Sequence, residues 1–215
     1  LMDELLTDEH KLIRDTTRKH VSKHIKPIIE ESFEKAEFHP EIIPGLAEIG
    51  VGQTFWDFML YGRMESVEDM RNWVMDILSR AQNGTDLPFV AIHLASGKVA
   101  GATRYLNIMP KDRGLEIGGT WYGTEYQRTP VNTECKYLLL THAFERLGCI
   151  RVQLKTDLRN VRSQRAIERI GAKREGILRN HMILPSGQFR DSVFYSILDS
   201  EWPEVKKRLE AILTR

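Results

Sequence analysis

Two short stretches bring together residue types that could hold an anion. The first is "YQRTPVNTECK", residues 126–136, which leaves a strand-like run and opens a strongly helical one. A helix start leaves its first N–H groups unpartnered and carries partial positive charge, so a turn here suits a pyrophosphate. Pro130 occupies a position where a phosphate loop would carry glycine. Proline lacks an N–H but is favoured as a first helical residue; with Thr129 as the cap, the amides of Val131 and Asn132 stay available. The same residues also read as a plain helix start. The second stretch is "NVRS", Asn160–Ser163, where Asn160 can cap a helix whose Arg162, Arg165 and Arg169 recur on one face. Residues 150–180 carry nine basic and three acidic side chains, either a solvated face or a guide for anionic groups.

The elements that must position these stretches follow from periodicity and punctuation. Residues 3–49 read as wholly helical, with Thr7 capping the first helix and "PEIIPGLAEIG" forming the last, opened by Pro40 and closed by Gly50. Ser66 caps a helix expected over 67–80, with Glu68 and Asp69 in its first turn. "LPFVAIHL", "KVAGATRYLNI" and "LEIGGTWYG" read as successive strands joined by the turns "ASGK" and "PKDRG". A helix is expected over 130–147, the strand "IRVQLKTD" after it, then a helix over 160–170. Strands near 175–183 and 191–198 and a helix from Glu201 complete the chain. No strand is needed before residue 86. Strands joined by turns, then strands separated by helices, predict an α/β fold with a mixed sheet. Gly118 and Gly119 inside one strand predict a bulge or a close backbone approach.

Composition narrows the function classes. The 215 residues carry a formal charge of +1, so overall charge argues for neither nucleic acid nor a membrane surface. Residues 1–25 hold charges throughout rather than an apolar leader core, and no apolar stretch is long enough to span a bilayer. Two cysteines without CxxC spacing make no disulfide framework or zinc cluster, which predicts a reducing, cytoplasmic setting with Cys135 and Cys149 as small buried hydrophobes. None of the seven histidines has ligand spacing, and no metal is implied. His142, in an apolar helix, reads as a core residue.

Over about 160 residues, from roughly residue 53 to the C-terminus, the chain resembles the GNAT superfamily of acetyl-CoA-dependent N-acetyltransferases, in the subgroup of ribosomal-protein N-terminal acetyltransferases. The resemblance rests on "LEIGGTWYGTEYQRTPVNTECKYLLLTHAFERLGCIRVQLKTDLRNVRSQRAIERIGAKREGILRNHMI" and "RDSVFYSILDSEW". It implies a mixed, mostly antiparallel sheet flanked by helices. It also implies that the Q/R-x-x-G-x-G/A turn of the family falls on Gln127–Asn132, so that Gln127, Arg128, Thr129, Val131, Asn132 and Thr133 hold the coenzyme A pyrophosphate. Here Pro130 replaces the first glycine and Asn132 the second small residue. The strand before the turn splays from its neighbour in this family, which implicates backbone groups of Trp121 and Tyr122 in binding pantetheine. Asn160 and Arg165 complete the expected coenzyme contacts.

Acetyl transfer needs a neutral amine beside the thioester, a route for its proton and an acid for the departing thiolate. Glu116 is the candidate base, directly or through water. Many relatives use as acid a tyrosine where this chain has Ile167, which leaves Ser163 as the candidate. The acceptor is either a protein N-terminus or a small amine. The competing expectation is a coenzyme A binding or interaction module, impaired by the altered turn and by the lack of the opening strand that such chains normally carry.

Residues 1–52 instead resemble the N-terminal helices of an acyl-CoA dehydrogenase of the glutaryl-CoA type, through "LIRDT" and "FHPEII…LAEIGV". The flavin-binding middle domain is absent at this length, so neither FAD nor dehydrogenation is implied. The expected organisation is a helical segment over 1–52 and a transferase domain over 53–215. The helices are expected to pack on the sheet, covering an edge, or on another subunit in a homo-oligomer.

Overall fold

The computed structural model describes residues 42–214. The helices expected before residue 42, including the Thr7 cap and the Pro40 opening, lie outside them. The final helix of that run is present as α1, Ile42–Gly50. A 3₁₀ turn over Thr54–Phe58 leads to α2, Val67–Gln82. Ser66 caps α2 by accepting from the Asp69 amide, and the Asp69 side chain answers at the Ser66 amide, a reciprocal pair that settles the helix start.

Six strands follow: β1 Asp86–His93, β2 Lys98–Met109, β3 Gly114–Tyr122, β4 Arg151–Asp157, β5 Lys173–Ile183 and β6 Phe189–Leu198. They form one sheet in the order β1-β2-β3-β4-β6-β5. Every pairing is antiparallel except β3 with β4, because the connection between those two is a helical crossover rather than a hairpin. Helix α3 is Val131–Thr141, α4 Val161–Arg169 and α5 Trp202–Leu213. The mixed, mostly antiparallel α/β architecture is the expected one, and the first described strand begins at Asp86.

The two faces of the sheet bury different cores. On one, Tyr105, Leu115, Ile117, Val152, Leu154, Val193, Tyr195 and Ile197 meet α3 and α5 through residues such as Leu140 and Leu209. On the other, α1 and α2 pack through Leu46, Met70 and Trp73 with Trp56 and Trp121. The indoles of Trp56, Trp73 and Trp121 have centroids 5.0 to 6.0 Å apart. This cluster ties α1, α2 and β3 into one body, and Trp56 Nε1 donates to the Gly50 carbonyl at 2.7 Å.

Three sequence expectations need correction. The single helix expected over 130–147 changes register: after Thr141 it continues as a π turn, His142–Arg146, with the Leu147 amide on the His142 carbonyl. The Tyr105 hydroxyl donates to the Leu139 carbonyl at 2.6 Å, taking an acceptor of the helical ladder just where the turn widens. His142 lies on the exposed side of that turn, stacked at 6.4 Å on Tyr105, and is not a core residue. Cys149 is buried, whereas Cys135 is only half-buried; both are free thiols.

Candidate functional site

The site is built on the strand pair that separates. β3 pairs with β4 only through Gly114, Leu115 and Glu116 opposite Arg151, Val152 and Gln153. Beyond Glu116 the strands diverge, so the rest of β3 turns an unpaired backbone edge toward β4. The bulge expected from Gly118 and Gly119 lies there: Ala102 faces Trp121 and Arg104 faces Gly118, which leaves two β3 residues opposite one on β2. Gly119 takes φ +57°, the left-handed conformation that glycine adopts freely. The divergence opens a cleft of about 640 Å³ that runs from the starts of α3 and α4 to the loop around Phe58 and Tyr61.

At one end of the cleft the two loop-to-helix turns meet. Pro130 has φ −62° and ψ −18°, already helical, and its carbonyl accepts from the Glu134 amide at 2.9 Å. The helix is therefore recorded from Val131, one residue later than expected. Thr129 caps it only weakly: its hydroxyl donates to the Tyr126 carbonyl at 2.7 Å and stands 3.4 Å from the Val131 amide. The amides of Asn132 and Thr133 bond to nothing among the described residues; Thr133 is wholly buried, so the donor that borders the cleft at this positive helix terminus is the Asn132 amide, and the Val131 amide expected beside it is turned to Thr129. Arg128 holds φ +62° in the turn before them. Gln127 bonds to the chain on both sides: Nε2 donates to the Tyr122 carbonyl at 2.9 Å, and Arg162 Nη1 donates to its Oε1 at 2.7 Å. This bridge clamps the first turn to the second. Asn160 caps α4 as expected, its Oδ1 accepting from the Ser163 amide at 3.0 Å.

Ten of the twelve candidate residues line the cleft; the Val131 and Thr133 side chains do not. Val131 packs against the Tyr122 and Tyr126 cluster with its amide on Thr129, and Thr133 is wholly buried, so neither of these two expected contacts reaches the cleft. Trp121 and Tyr122 send their side chains to opposite faces of the sheet, and burial pushes the Tyr122 hydroxyl well above the usual phenol range. Arg165 is exposed on the rim.

Glu116 sits where β3 leaves β4. It is 2% exposed, and a single oxygen, Oε2, accepts from Lys155 Nζ at 2.7 Å, Gln153 Nε2 at 2.8 Å and Asn107 Nδ2 at 2.9 Å. Asn107 reaches it from φ +49° at a β2 irregularity. The other oxygen, Oε1, has no hydrogen-bond partner among the described residues. A Cβ at Gly118 would stand 3.1 Å from it, so glycine keeps that oxygen accessible. Ser163 and Ile167 of α4 also line the cleft.

Sequence reasoning missed four cations here: Arg104, Lys136, Lys155 and Arg190. For Arg104 and Lys136 the signal is a charge inside an apolar run, "AGATRYLNI" and "ECKYLLL"; Lys155 and Arg190 sit among polar residues and carry no such signal. Lys136 projects from α3 to the Thr120 hydroxyl at 2.7 Å, and burial pulls its ammonium down to about 8. Among the described residues no group of His, Cys, Asp and Glu could hold a metal ion, and no helix is long and apolar enough to cross a membrane.

The family model described as "Acetyltransferase (GNAT) domain" matches residues 37–173. A Bacillus subtilis (strain 168) protein named "Putative ribosomal N-acetyltransferase YdaF" is 33% identical over 109 residues, which cover 51% of this chain and 58% of that protein. The chain thus spans less than two thirds of that relative's length. A crystal structure described as a "putative acetyltransferase" from T. thermophilus shares 38% identity at a TM-score of 0.74, over 82% of this chain and 90% of that one. Mycobacterium smegmatis RimJ, solved in complex with CoA-disulfide, shares the fold at a TM-score of 0.70 and 21% identity, over 81% of this chain and 86% of that one. The family match spans more than half of the residues and includes the diverging strand pair and both helix starts, so the chain belongs to the GNAT acetyltransferase family.

Proposed function

We propose that the protein is an N-acetyltransferase that moves an acetyl group from acetyl-CoA directly to a primary amine, on a small molecule or a protein N-terminus. The single observation that carries the reading is the unpaired edge of β3 beyond Glu116, in one cleft with the free amide of Asn132. The residues present fit the cosubstrate. The Asn132 amide, with Gln127, Arg128 and Thr129 of the turn and Asn160 and Arg165 across it, suits a pyrophosphate. The unpaired backbone of β3 at Trp121 and Tyr122 suits the amide groups of a pantetheine arm.

When bound, acetyl-CoA supplies the activated thioester whose acyl carbon the amine attacks and whose thiolate departs. Glu116 takes the amine proton at Oε1, while Lys155, Gln153 and Asn107 hold Oε2 and fix the orientation of the carboxylate. Ser163 returns a proton to the departing sulfur. Ile167, 7% exposed in place of a tyrosine, helps to exclude water. In this reading residues 1–52 are a helical segment on the transferase domain, and the protein works in a reducing cytoplasm with both thiols free.

Thiol release from acetyl-CoA with a panel of amines and N-terminal peptides tests the assignment. Turnover that falls at least about a hundred-fold in Glu116→Gln is expected. Tight coenzyme binding without turnover for any acceptor would instead favour the binding module.

A further inference from the structure

Past Glu116 the cleft continues under the Phe55–Tyr61 loop, where its wall carries positive charge that neighbouring residues only partly meet. Arg104 is 7% exposed. Its Nε lies 3.4 Å from Asp86 Oδ2 without the alignment of a hydrogen bond, and its Nη1 has no acceptor among the described residues. The guanidinium lies 5.3 Å from the centroid of the Tyr61 ring. A Cβ on Gly119 would stand 2.9 Å from Arg104 Nε, so the β3 bulge also makes room for this group. Arg190 is 6% exposed; it donates to Ser192 Oγ at 3.1 Å and to the Phe58 carbonyl at 3.4 Å, and forms no ion pair among the described residues. Burial pulls both guanidiniums below the usual arginine range, Arg104 to about 10.

Asp86, within ion-pair distance of Arg104 Nε, leaves Nη1 open, and the other carboxylates on this face are already engaged. Glu116 Oε2 is held by Lys155, and Asp157 is paired with Arg159 at 2.6 Å. A buried guanidinium with an open donor is unfavourable unless an acceptor arrives, and its planar fork matches a carboxylate. A polycationic acceptor would meet like charge here.

We propose that the acceptor is an amine carrying a carboxylate a few bonds from its nitrogen. Arg104 takes the carboxylate with its open Nη1, Arg190 adds positive charge to the same cleft, and the amine faces Glu116 Oε1. Arg104 stands opposite Gly118, two residues along β3 from Glu116, which limits the separation of the two groups. The proposal rests on the transferase reading for the role of the amine. Its chemistry is met by a free amino acid or by an acidic residue at a peptide N-terminus.

Calorimetry on the 215-residue chain saturated with coenzyme A separates these. The probes are L-alanine against L-alaninamide, β-alanine against β-alaninamide, and C-terminally amidated Asp-Ala-Ala against Asn-Ala-Ala. The carboxylate member of at least one pair should bind at least about ten-fold more tightly. Arg104→Gln and Arg190→Gln should each remove that preference while coenzyme A affinity is retained. Should Arg104→Gln fail to fold, Arg190→Gln decides alone. A preference limited to the free amino acids identifies a small amino carboxylate; one limited to the peptide identifies an acidic N-terminus. Equal binding within every pair, or a preference that survives the substitutions, overturns the proposal. Thiol release with the same probes reports separately on the transferase reading: carboxylate-selective binding without turnover would defeat that reading and leave the carboxylate site standing.

Discussion

Replacing Lys155 by Met tests whether the Glu116 carboxylate is held as an ion inside the fold. The substitution removes the ammonium 2.7 Å from Oε2 and leaves a carboxylate side chain that is 3% exposed. Breaking one member of a buried pair costs about 3–5 kcal/mol, because the remaining charge stays desolvated. Two features put this case at the lower end. Asn107 and Gln153 still donate to Oε2, and Oε1 borders the cleft. We expect a loss of about 3 kcal/mol, which for a domain of this size lowers the melting temperature by roughly 6–12 °C. Glu116→Gln alone strands Lys155, whose side chain is 12% exposed and nearer to solvent, and should cost about 1–2 kcal/mol. The double variant removes both charges and should be less destabilised than Lys155→Met, giving a coupling of about 2 kcal/mol. Urea unfolding followed by tryptophan fluorescence measures all four corners, since Trp56, Trp73 and Trp121 share one cluster. A loss below about 1 kcal/mol in Lys155→Met, with additive single effects, would refute the argument.

Three further outcomes follow from the geometry. Lys136 has its ammonium held near 8 against an ordinary 10.5, so the unfolded chain binds more protons between those values and folding stability gains as pH rises through that window; at about 1.4 kcal/mol per unit this amounts to roughly 3 kcal/mol. The stability difference between Lys136→Met and the parent should shift by that order between pH 7 and 10.5, a comparison that cancels the titration of other groups, and a flat difference would show that Lys136 is not desolvated. Gly101→Ala should destabilise by at least about 2 kcal/mol, measured by thermal unfolding, because the new Cβ overlaps the Trp121 carbonyl oxygen and stands 2.8 Å from Tyr122 Cα, backbone that can yield only by opening the β2–β3 pairing. Pro130→Gly should cost about 1 kcal/mol of stability through chain entropy and change coenzyme A affinity less than about three-fold, since Asn132 already presents its amide; a ten-fold gain in affinity would show that the proline impairs the turn.

What could be read directly from the chain was local. The Ser66 and Asn160 caps, the helix start at Pro130 and the Gly118–Gly119 bulge depend on residues within a few positions of one another, and on backbone angles that only certain residue types reach easily. The order of strands and helices followed from the same short-range code, as did the expectation of an anion site, because a helix terminus makes one without distant help. Tertiary structure decided the chemistry around Glu116. Its partner Lys155 lies 39 positions away, and Arg190 reaches the Phe58 carbonyl across 132 positions. Periodicity records which face a residue occupies and not what stands opposite it, so Arg104, Lys136, Lys155 and Arg190 went unremarked until the diverging strands gave them a common cleft. The π turn after Thr141 belongs with them, since it is the hydroxyl of Tyr105, from another strand, that reaches the helix there. Local sequence could mark the bulge in β3, but only the divergence of β3 from β4 and the seating of the Phe55–Tyr61 loop turned it into a cleft lined by Arg104, Lys136, Lys155 and Arg190.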